Sequence, residues 1–238
     1  MFLALLGAAL VLGLLAWELW MCEGAHLGRH FVVWLYDLAA ERYDRIKRFD
    51  ADWERHSLGE PLAGVVRGLP GVRLLDVGAG TGRVARALAG VSGFGGCIIG
   101  LDPSRRMLSL AQRRAASTVS RWVQAWSDPL PFAENTFDLV TCLEVLEFTP
   151  QPLASLRELV RVLRPGAWLL VTNRVGWQAR WIVGRTFPRR MVERIFLGLD
   201  LEQIEVRPWQ VDYDLVWARK PTPSDSIGSQ PACASSVS

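Results

Sequence analysis

Short apolar runs alternate with stretches of helical spacing through the middle of this chain. The runs that are short enough for buried strands lie at residues 74–77, 97–102, 122–125, 137–142, 167–172, 201–206 and 211–218. Stretches with a helical period lie at 84–88, 107–116 and 153–163. Such alternation favours a mostly parallel sheet with helices on both faces. We therefore predict an α/β fold with a doubly wound, seven-stranded sheet over residues 70–220.

The N-terminal segment has a different pattern. Residues 1–22 carry one charged side chain, Glu18, and about 20 apolar residues are enough to span a bilayer. Trp17 and Trp20 lie where interfacial aromatic residues are common, and basic residues follow the segment but do not precede it. We predict a membrane anchor helix at 1–22, transmembrane or deeply inserted, with the rest of the chain in the cytoplasm. The alternative is an N-terminal helix buried against the domain.

Three other segments differ from the predicted sheet and its helices. Residues 23–69 have an amphipathic pattern and are assigned to an N-terminal cap. Residues 174–199 interleave tryptophans with arginines and are assigned to a cap insertion. This mixture is typical of a face in contact with anionic lipid headgroups, and arginines that are merely solvated are an equal alternative. Residues 221–238 are rich in proline and serine and predict a disordered tail.

Composition excludes several classes of function. A chain of 238 residues, half of them apolar, supplies the core of one domain. A net charge of +3 is too small to indicate nucleic-acid binding. The four cysteines show no C-x-x-C spacing, which favours a reducing compartment and predicts no metal site. The three histidines, His26, His30 and His56, are interpreted as ordinary polar surface residues.

The candidate chemistry begins where the first predicted strand ends. Asp76 is followed by Gly78-Ala79-Gly80-Thr81-Gly82, a turn that leads into a helix. Glycines suit backbone angles that a Cβ forbids, and they allow a ligand to approach the main chain. The turn is therefore expected to present free amides and the positive end of a helix to a ligand. A nicotinamide oxidoreductase is disfavoured, because its G-x-G-x-x-G pattern would place a glycine at Arg83.

The turn resembles motif I of the class I S-adenosylmethionine-dependent methyltransferases, in their type 11 and quinone-methylating branch. The resemblance implies a Rossmann-like methyltransferase fold and S-adenosyl-L-methionine as cofactor. It assigns the methionine part of the cofactor to Asp76 and to the turn, which comprises Gly78, Ala79, Gly80 and Gly82. It assigns the ribose to Asp102, which ends the second predicted strand and is followed by Pro103. Asp102 is alternatively a helix-capping side chain.

The resemblance assigns the adenine part of the cofactor to Trp126 and Ser127. These residues precede Leu130-Pro131-Phe132, which match the corresponding segment of the family. Trp126 replaces the acid that commonly accepts a hydrogen bond from the adenine amino group. We expect Ser127 backbone groups to meet the adenine edge and the Trp126 indole to pack on its face. Leu143, after the fourth predicted strand, is also assigned to cofactor binding.

The acceptor side is assigned to the segment Glu144-Val145-Leu146-Glu147-Phe148, which resembles the family's E-V-L-E-H segment. Phe148 occupies the histidine position, so Glu144 and Glu147 are the candidate acids, with Glu147 as the proton acceptor. Tyr43, the third candidate catalytic residue, and Tyr36 belong to a tyrosine-aspartate segment that folds over the cofactor and the substrate mouth in relatives. Two tyrosines that pack a surface helix are the alternative.

The predicted function is methyl transfer to a small lipophilic acceptor, quinone- or lipid-like, at a membrane surface. Its predicted partners are that acceptor and membrane lipids, with no nucleic acid and no metal. A non-catalytic cofactor-binding module that acts through a partner is the alternative.

Overall fold

A mixed sheet of seven strands forms the centre of the molecule. The computed structural model describes residues 1–115 and 120–223, with the side chains of residues 2–4 excepted. The strands are β1 (Val72–Val77), β2 (Gly96–Asp102), β3 (Ser120–Gln124), β4 (Phe137–Cys142), β5 (Leu163–Arg174), β6 (Glu202–Trp209) and β7 (Tyr213–Arg219). Their order across the sheet is β3-β2-β1-β4-β5-β7-β6, and only β7 runs antiparallel to its neighbours. The predicted mostly parallel, seven-stranded sheet is therefore confirmed.

Ten helices accompany these strands in the described part of the chain. They are α1 (Phe2–Met21), α2 (Arg29–Ala39), α3 (Tyr43–Lys47), α4 (Ala51–Glu54), α5 (Glu60–Val65), α6 (Arg83–Ala87), α7 (Arg105–Arg114), α8 (Pro152–Val162), α9 (Gly176–Ala179) and α10 (Arg189–Leu197). Single turns of tighter or wider helix lie at Ala25–Leu27, Ala40–Arg42, Arg55–Gly59 and Leu146–Phe148. Local signals fix several boundaries: Ser104 caps α7 by accepting from the Met107 amide at 2.9 Å, and proline starts α8.

Successive residues of β1 belong to different hydrophobic cores, as the alternation of side chains along a strand requires. Leu75 packs in a core with α8 and α10, whereas Leu74 packs in one with α5 and α6. Both residues are fully buried. Because helices cover both faces, the sheet is buried on both sides. The part of the sheet that stays open is the edge at which the parallel strands end.

The strand β5 is longer than the apolar run at 167–172 indicates. It begins at Leu163, directly after α8, and Gly166 donates its amide to the Lys220 carbonyl at 2.7 Å. The polar and proline-containing start of the strand is thus held by main-chain pairing. Such pairing leaves no trace in the hydrophobic pattern.

Among its described side chains, the N-terminal helix α1 packs on the domain through its last turn. Glu18 is 5% exposed and its Oε2 lies 3.0 Å from His26 Nδ1, while Leu10 and Leu12 are 66% and 65% exposed. In the ranges with described side chains, no helix has the length and apolar character needed to cross a membrane. The prediction of a transmembrane helix at 1–22 is therefore not supported.

The segment predicted as a cap insertion, 174–199, divides into two parts. Its second part, α10, buries Val192 and Phe196 in the core shared with α8, so this helix packs against the sheet. The first part contacts the base of α1, where Trp181 meets Trp17 edge to face. Of the predicted tail, 224–238 lie outside the described residues, as does Ala116 of the predicted helix at 107–116.

Candidate active site

The glycine turn lies at the carboxyl edge of the sheet, between β1 and α6. Gly78, Gly80 and Gly82 have φ angles of 72°, 52° and 82°. These angles belong to the left-handed region, which glycine adopts without strain. A Cβ on Gly78 would also lie 2.1 Å from Val145 Cγ2. The turn therefore requires glycine at Gly78 for two independent reasons.

The amides of this turn are not all free, contrary to the sequence-based expectation. Gly78 and Ala79 donate their amides to the Leu101 carbonyl at 2.7 and 3.0 Å. Gly80 donates its amide to Asp102 Oδ2 at 2.9 Å. The turn thus fastens the end of β1 to the end of β2. A ligand at this turn would therefore meet side chains and the shape of the backbone more than free amides.

Asp102 is held by main-chain donors at the end of β2. Its second oxygen, Oδ1, accepts from the Ser104 amide at 2.8 Å, so both oxygens are oriented. The side chain is buried, and burial raises the pKa of the Asp102 carboxyl to about 6. Each carboxylate oxygen has a further lone pair, which suits an incoming hydroxyl donor. The helix-capping alternative for Asp102 is not observed, because the Ser104 side chain caps α7.

Asp76 lies in β1 beside Thr141 of β4. The Thr141 hydroxyl donates to Asp76 Oδ1 at 2.8 Å. Burial raises the pKa of the Asp76 carboxyl to about 7, and the nearby charge of Asp102 adds to the rise. An ammonium or sulfonium group beside this carboxyl would favour its charged form. The environment of Asp76 therefore suits a cationic ligand.

Three adjoining cavities follow this edge of the sheet. Asp76 and Ala79 line one of about 30 Å³, Asp102 and Pro103 line one of about 100 Å³, and Gly78 lines both. The third cavity, also of about 100 Å³, is lined by Pro103 and Gly78 together with Trp126. The two predicted acids thus face adjoining parts of one cleft. Leu143 and Ser127 line it as well, whereas Gly82 packs below it, against Ala111 and Trp122.

The end of the cleft predicted for adenine is built around Trp126. Its ring lies under the Arg29 guanidinium, 4.5 Å from the ring centroid, and meets His30 edge to face at 5.1 Å. Both partners belong to α2 of the N-terminal cap. The indole is therefore oriented by the cap and lines an apolar cavity with Val32 and Val33. The surface-residue interpretation of His30 missed this contact, because α2 and Trp126 are far apart in sequence.

Glu144 is tied into an ion-pair network. It accepts from Lys47 Nζ and from Arg83 Nη1, each at 2.7 Å. Burial acts to raise its pKa, but the two cations outweigh burial and the pKa of Glu144 is lowered. Its φ of 57° is left-handed, a strained conformation for a glutamate. Glu144 lines the cleft, and its charge is already neutralised there.

Arg83 is the centre of this network and was not a predicted site residue. Its guanidinium makes a two-point ion pair with Glu54 at 2.7 and 2.8 Å, and it lies over the rings of Phe49 and Trp209. It joins α4 of the cap to the glycine turn and to Glu144. Asp44 of the cap similarly pairs with Arg86 at 2.5 Å. We call these ion pairs, Lys47–Glu144, Glu54–Arg83 and Asp44–Arg86, the cap latch.

Glu147 lies behind the cleft and lines none of the three cavities. Oε1 accepts from the Tyr213 hydroxyl at 2.6 Å, and Oε2 is buried without a hydrogen-bond partner in the described structure. Burial raises the pKa of Glu147, although the bond from Tyr213 opposes the rise. A raised pKa and an unused acceptor oxygen are the properties of a proton acceptor.

Tyr36 and Tyr43 of the cap cover the middle of the cleft. Their ring centroids are 5.7 Å apart, and Tyr36 is also 5.7 Å from the ring of Phe148. Burial raises the pKa of both hydroxyls above their usual range, so both are neutral. The lining between them is aromatic and apolar, with Val33 and Met107.

The side chains present fit S-adenosylmethionine. The cleft offers one buried acid without a paired cation on β1, a second acid at the end of the neighbouring strand β2, and an apolar cavity lined by an indole. Gly78 lines all three cavities, and a Cβ at this position would lie 2.1 Å from Val145 Cγ2. Asp76, Asp102 and Trp126 would therefore hold the three parts of the cofactor.

Comparisons with known proteins agree with this geometry. The family model described as "Methyltransferase domain" matches residues 75–171. A ubiquinone biosynthesis O-methyltransferase of Aliivibrio fischeri is 36% identical over 102 residues, 42% of each chain. A 2-phytyl-1,4-naphtoquinone methyltransferase of Synechococcus elongatus is 41% identical over 102 residues, 41% of this chain and 44% of the relative. The aligned region thus spans less than half the length of these relatives.

A solved structure extends the similarity of fold to most of the chain. The [4+2]-cyclase SpnF is similar with a TM-score of 0.63 and 20% identity, over 82% of this chain and 97% of that one. At this identity the likeness shows a shared fold alone.

Proposed function

Because residues 75–171 belong to the class I S-adenosylmethionine-dependent methyltransferases, we propose that this protein methylates a small lipophilic acceptor at a membrane surface. One observation carries the proposal. Asp76 and Asp102, on neighbouring parallel strands, line adjoining cavities that share Gly78 and Gly80. Neighbouring strands that end in acids around a glycine turn bring two anchoring groups to one cleft.

The chain's own residues perform the positioning. S-adenosylmethionine supplies an electrophilic methyl group on a sulfonium. Asp76 lines one end of the cleft and Asp102 its middle cavity, and the cap covers that cavity with Tyr36 and Tyr43, which excludes water from the reaction. Since the methyl group is reactive without activation, most of the acceleration comes from holding the acceptor in line with it.

Glu147 stays the predicted proton acceptor, although it lines none of the three cavities and so does not touch a ligand in the cleft directly. Its Oε2 is unused, and Tyr213 fixes the orientation of its other oxygen. Glu144 is less suited to this role, because Lys47 and Arg83 already occupy its oxygens. Tyr43 is assigned to contact with the acceptor rather than to proton transfer, since its hydroxyl is held neutral.

The acceptor is expected to be apolar and ring-shaped. Tyr36, Tyr43, Phe148 and Met107 line the middle cavity, and aromatic rings of a ligand pack well against such side chains. The relatives described above are a ubiquinone biosynthesis O-methyltransferase and a 2-phytyl-1,4-naphtoquinone methyltransferase, and both names refer to quinones. A quinone-like acceptor satisfies both observations.

The membrane surface is part of the proposal because of α1. Its exposed apolar side chains point to several sides: the consecutive residues Leu10, Val11 and Leu12 are 66%, 55% and 65% exposed, and neighbours along a helix are turned by about 100°. A helix that is apolar all round is normally surrounded by apolar material. We assign that material to lipid, in which α1 is inserted without spanning the bilayer. The cytoplasmic side of the membrane remains a prediction.

A basic groove beside the base of α1 favours lipid over a protein partner. The groove has a volume of about 870 Å³ and is lined by four arginines, Arg174, Arg180, Arg189 and Arg190. Arg174 and Arg189 are paired with Glu23 and Asp214, whereas Arg180 and Arg190 have no partner among the described residues. Two free guanidinium groups next to an apolar helix complement anionic lipid headgroups.

Methyl transfer is tested with the full chain, labelled S-adenosylmethionine and extracts of membrane lipids and quinones. The expected product is a lipophilic compound heavier by one CH₂ group, formed by the wild type and not by Asp76→Ala or Asp102→Ala. Binding of S-adenosylhomocysteine without any methylated product would support the non-catalytic module instead. No binding of S-adenosylhomocysteine would contradict both.

Membrane association is tested by co-sedimentation with vesicles. The wild type is expected to bind vesicles with anionic lipid more tightly than zwitterionic ones. Leu10→Glu should reduce binding, because a charge inserted in the apolar region costs roughly 2.5–3.5 kcal/mol at most. Leu69→Glu, at a position 52% exposed and far from α1 in sequence, is the control and should bind normally. Equal loss in both variants would refute insertion of α1.

A further inference from the structure

Three side chains that the methyltransferase site does not use converge where α1 joins the domain. Glu18 and Cys22 come from the last turn and the end of α1, and His26 comes from the tight turn that follows. One ligand atom of each, a carboxylate oxygen, Sγ and a ring nitrogen, lies within 4.8 Å of the other two. The sequence interpretation missed this cluster, because it treated the histidines as separate surface residues.

The cluster is built into the protein. Cys22 is fully buried and Glu18 is 5% exposed, and no disulfide engages Cys22. Glu18 Oε1 accepts from the His26 main-chain amide at 2.7 Å, which leaves Oε2 directed at His26 Nδ1, 3.0 Å away. The His26 side chain is 29% exposed, so a small ion has a path from solvent.

The second ring nitrogen of His26 has the partner that metal-binding histidines commonly have. Nε2 lies 3.4 Å from the Val183 carbonyl, a group that accepts a hydrogen bond and never donates one. If Nε2 carries the proton, the lone pair of Nδ1 faces the carboxylate of Glu18. Nδ1 and the Glu18 oxygen are then two hydrogen-bond acceptors only 3.0 Å apart, and they repel each other unless a positive charge lies between or beside them. A proton on Nδ1 or a metal ion provides it.

We propose that Glu18, Cys22 and His26 bind one divalent transition-metal ion, with Zn²⁺ as the expected occupant. Mixed carboxylate, thiolate and imidazole ligands are those of zinc sites, and three protein ligands leave a fourth position for water. The ion replaces the thiol proton of Cys22, which is released to solvent. Two negative ligands and a neutral imidazole balance the charge of the ion.

The site would fix the position of α1 relative to the rest of the molecule. Trp17 stacks on the ring of His26 with centroids 6.1 Å apart, and Cys22 Sγ lies 3.6 Å from the Trp181 carbonyl. The ligands therefore contact both α1 and the segment that lines the basic groove. An ion held here stiffens the joint between the apolar helix and the domain, independently of cofactor binding.

The experiment uses the full chain, purified without chelator. Zinc content is measured by mass spectrometry of the elements, and Co²⁺ is then added to the metal-free protein. We expect about one ion per chain and a thiolate-to-cobalt charge-transfer band in the near ultraviolet. Cys22→Ser should abolish the band, and His26→Asn should weaken binding by at least about 100-fold, the upper end of what losing an outer partner costs.

Matched controls keep the proposal falsifiable. Cys97→Ser removes a thiol outside the cluster and His56→Asn removes an exposed histidine, and both should bind Co²⁺ as the wild type does. Calorimetric binding of S-adenosylhomocysteine reports whether each variant is folded. The proposal is overturned if the wild type shows no charge-transfer band, if folded Cys22→Ser keeps it, or if Cys97→Ser loses it. The histidine–glutamate ion pair alone would then explain the cluster.

Discussion

The two sides of the cleft are stabilised by different kinds of interaction. On the sheet side, the glycine turn, Asp76 and Asp102 are held by main-chain amides and by one threonine hydroxyl. On the cap side, the cap latch joins cap and sheet through charged side chains that are far apart in sequence. The sheet side thus depends on local geometry, whereas the cap side depends on pairs that only the folded chain brings together.

The pKa shifts separate the two sides in the same way. Burial raises the pKa of Asp76 and of Asp102, because no cation is paired with either acid. Cations lower the pKa of Glu144 and of Asp44 despite their burial. The sheet side is therefore left with acids that a cationic ligand or a hydroxyl donor stabilises, and the cap side is neutralised before any ligand arrives.

Removal of the central cation of the cap latch is expected to have the largest effect. Arg83→Met leaves Glu54 as a buried charge without its partner and removes one of the two cations beside Glu144. Breaking a buried pair on one side costs about 3–5 kcal/mol, and this loss should appear in the free energy of unfolding by urea. Arg106→Met, on an exposed part of α7, is the control and should change stability little. Equal losses would mean that the latch is not a stabilising unit.

Gly78→Ala tests the sheet side. We expect the free energy of unfolding to fall by roughly 1–2 kcal/mol because of the left-handed backbone, and by about a further 1–3 kcal/mol because of the clash with Val145. Binding of S-adenosylhomocysteine should weaken in parallel.

A matched control separates the two causes. Gly90 has a similar φ of 74° but open space at its Cβ position, so Gly90→Ala should show the backbone cost only. In a double-mutant cycle, Val145→Ala should recover part of the loss at Gly78. Additive effects of the two substitutions would rule out the clash as a cause.

The pH dependence of Asp76 is the next largest effect. Since its folded pKa of about 7 exceeds the ordinary value of 3.8, the folded state binds more protons than the unfolded state between these pH values. Stability from this group is complete below pH 3.8 and is lost as the pH rises to about 7. The contribution of Asp76 to the free energy of unfolding should differ by roughly 3–4 kcal/mol between pH 3.8 and about pH 7. Asp76→Asn should remove this difference.

Between pH 6 and pH 7 the slope of stability with pH comes more from Asp76 than from Asp102, because the folded pKa of Asp76 is about 7 and that of Asp102 is about 6. Urea unfolding at pH values across this interval should show stability falling in the wild type and falling less in Asp76→Asn. A slope unaffected by the substitution would show that Asp76 is charged throughout.

Asp44 should give the smallest effect, with the opposite sign. Arg86 and Thr81 outweigh burial and lower its pKa, so its contribution is present above the ordinary pKa of 3.8 and lost as the pH falls below it. Because the pair is partly exposed, Asp44→Asn should cost only about 1 kcal/mol at pH 7. Thermal unfolding at low and high salt measures it. A loss that does not shrink in high salt would contradict an ion-pair origin.

Short-range patterns were sufficient for most of the sheet. The apolar run at 137–142 coincides with β4, and the strand-turn-helix pattern around Gly78 is present as expected. Ser104 caps α7 through its side chain, three positions from the amide that it accepts from. Each of these features depends on residues a few positions apart, which the sequence displays directly. The placement of Asp76 and Asp102 at one edge follows from two adjacent parallel strands, so it was also predictable.

The chain's sequence by itself determined the order of strands and helices, the left-handed turn at Gly78 and the two acids at the strand ends. Tertiary structure decided that Arg83 would neutralise Glu144, that Trp126 would lie under Arg29, and that Cys22 Sγ would meet the Trp181 carbonyl. The physical reason is the separation in sequence over which each interaction acts. Backbone angles and side-chain alternation depend on residues that are neighbours in sequence. Charges and ligand atoms pair between residues that are far apart in sequence and that the packing of the helices brings together.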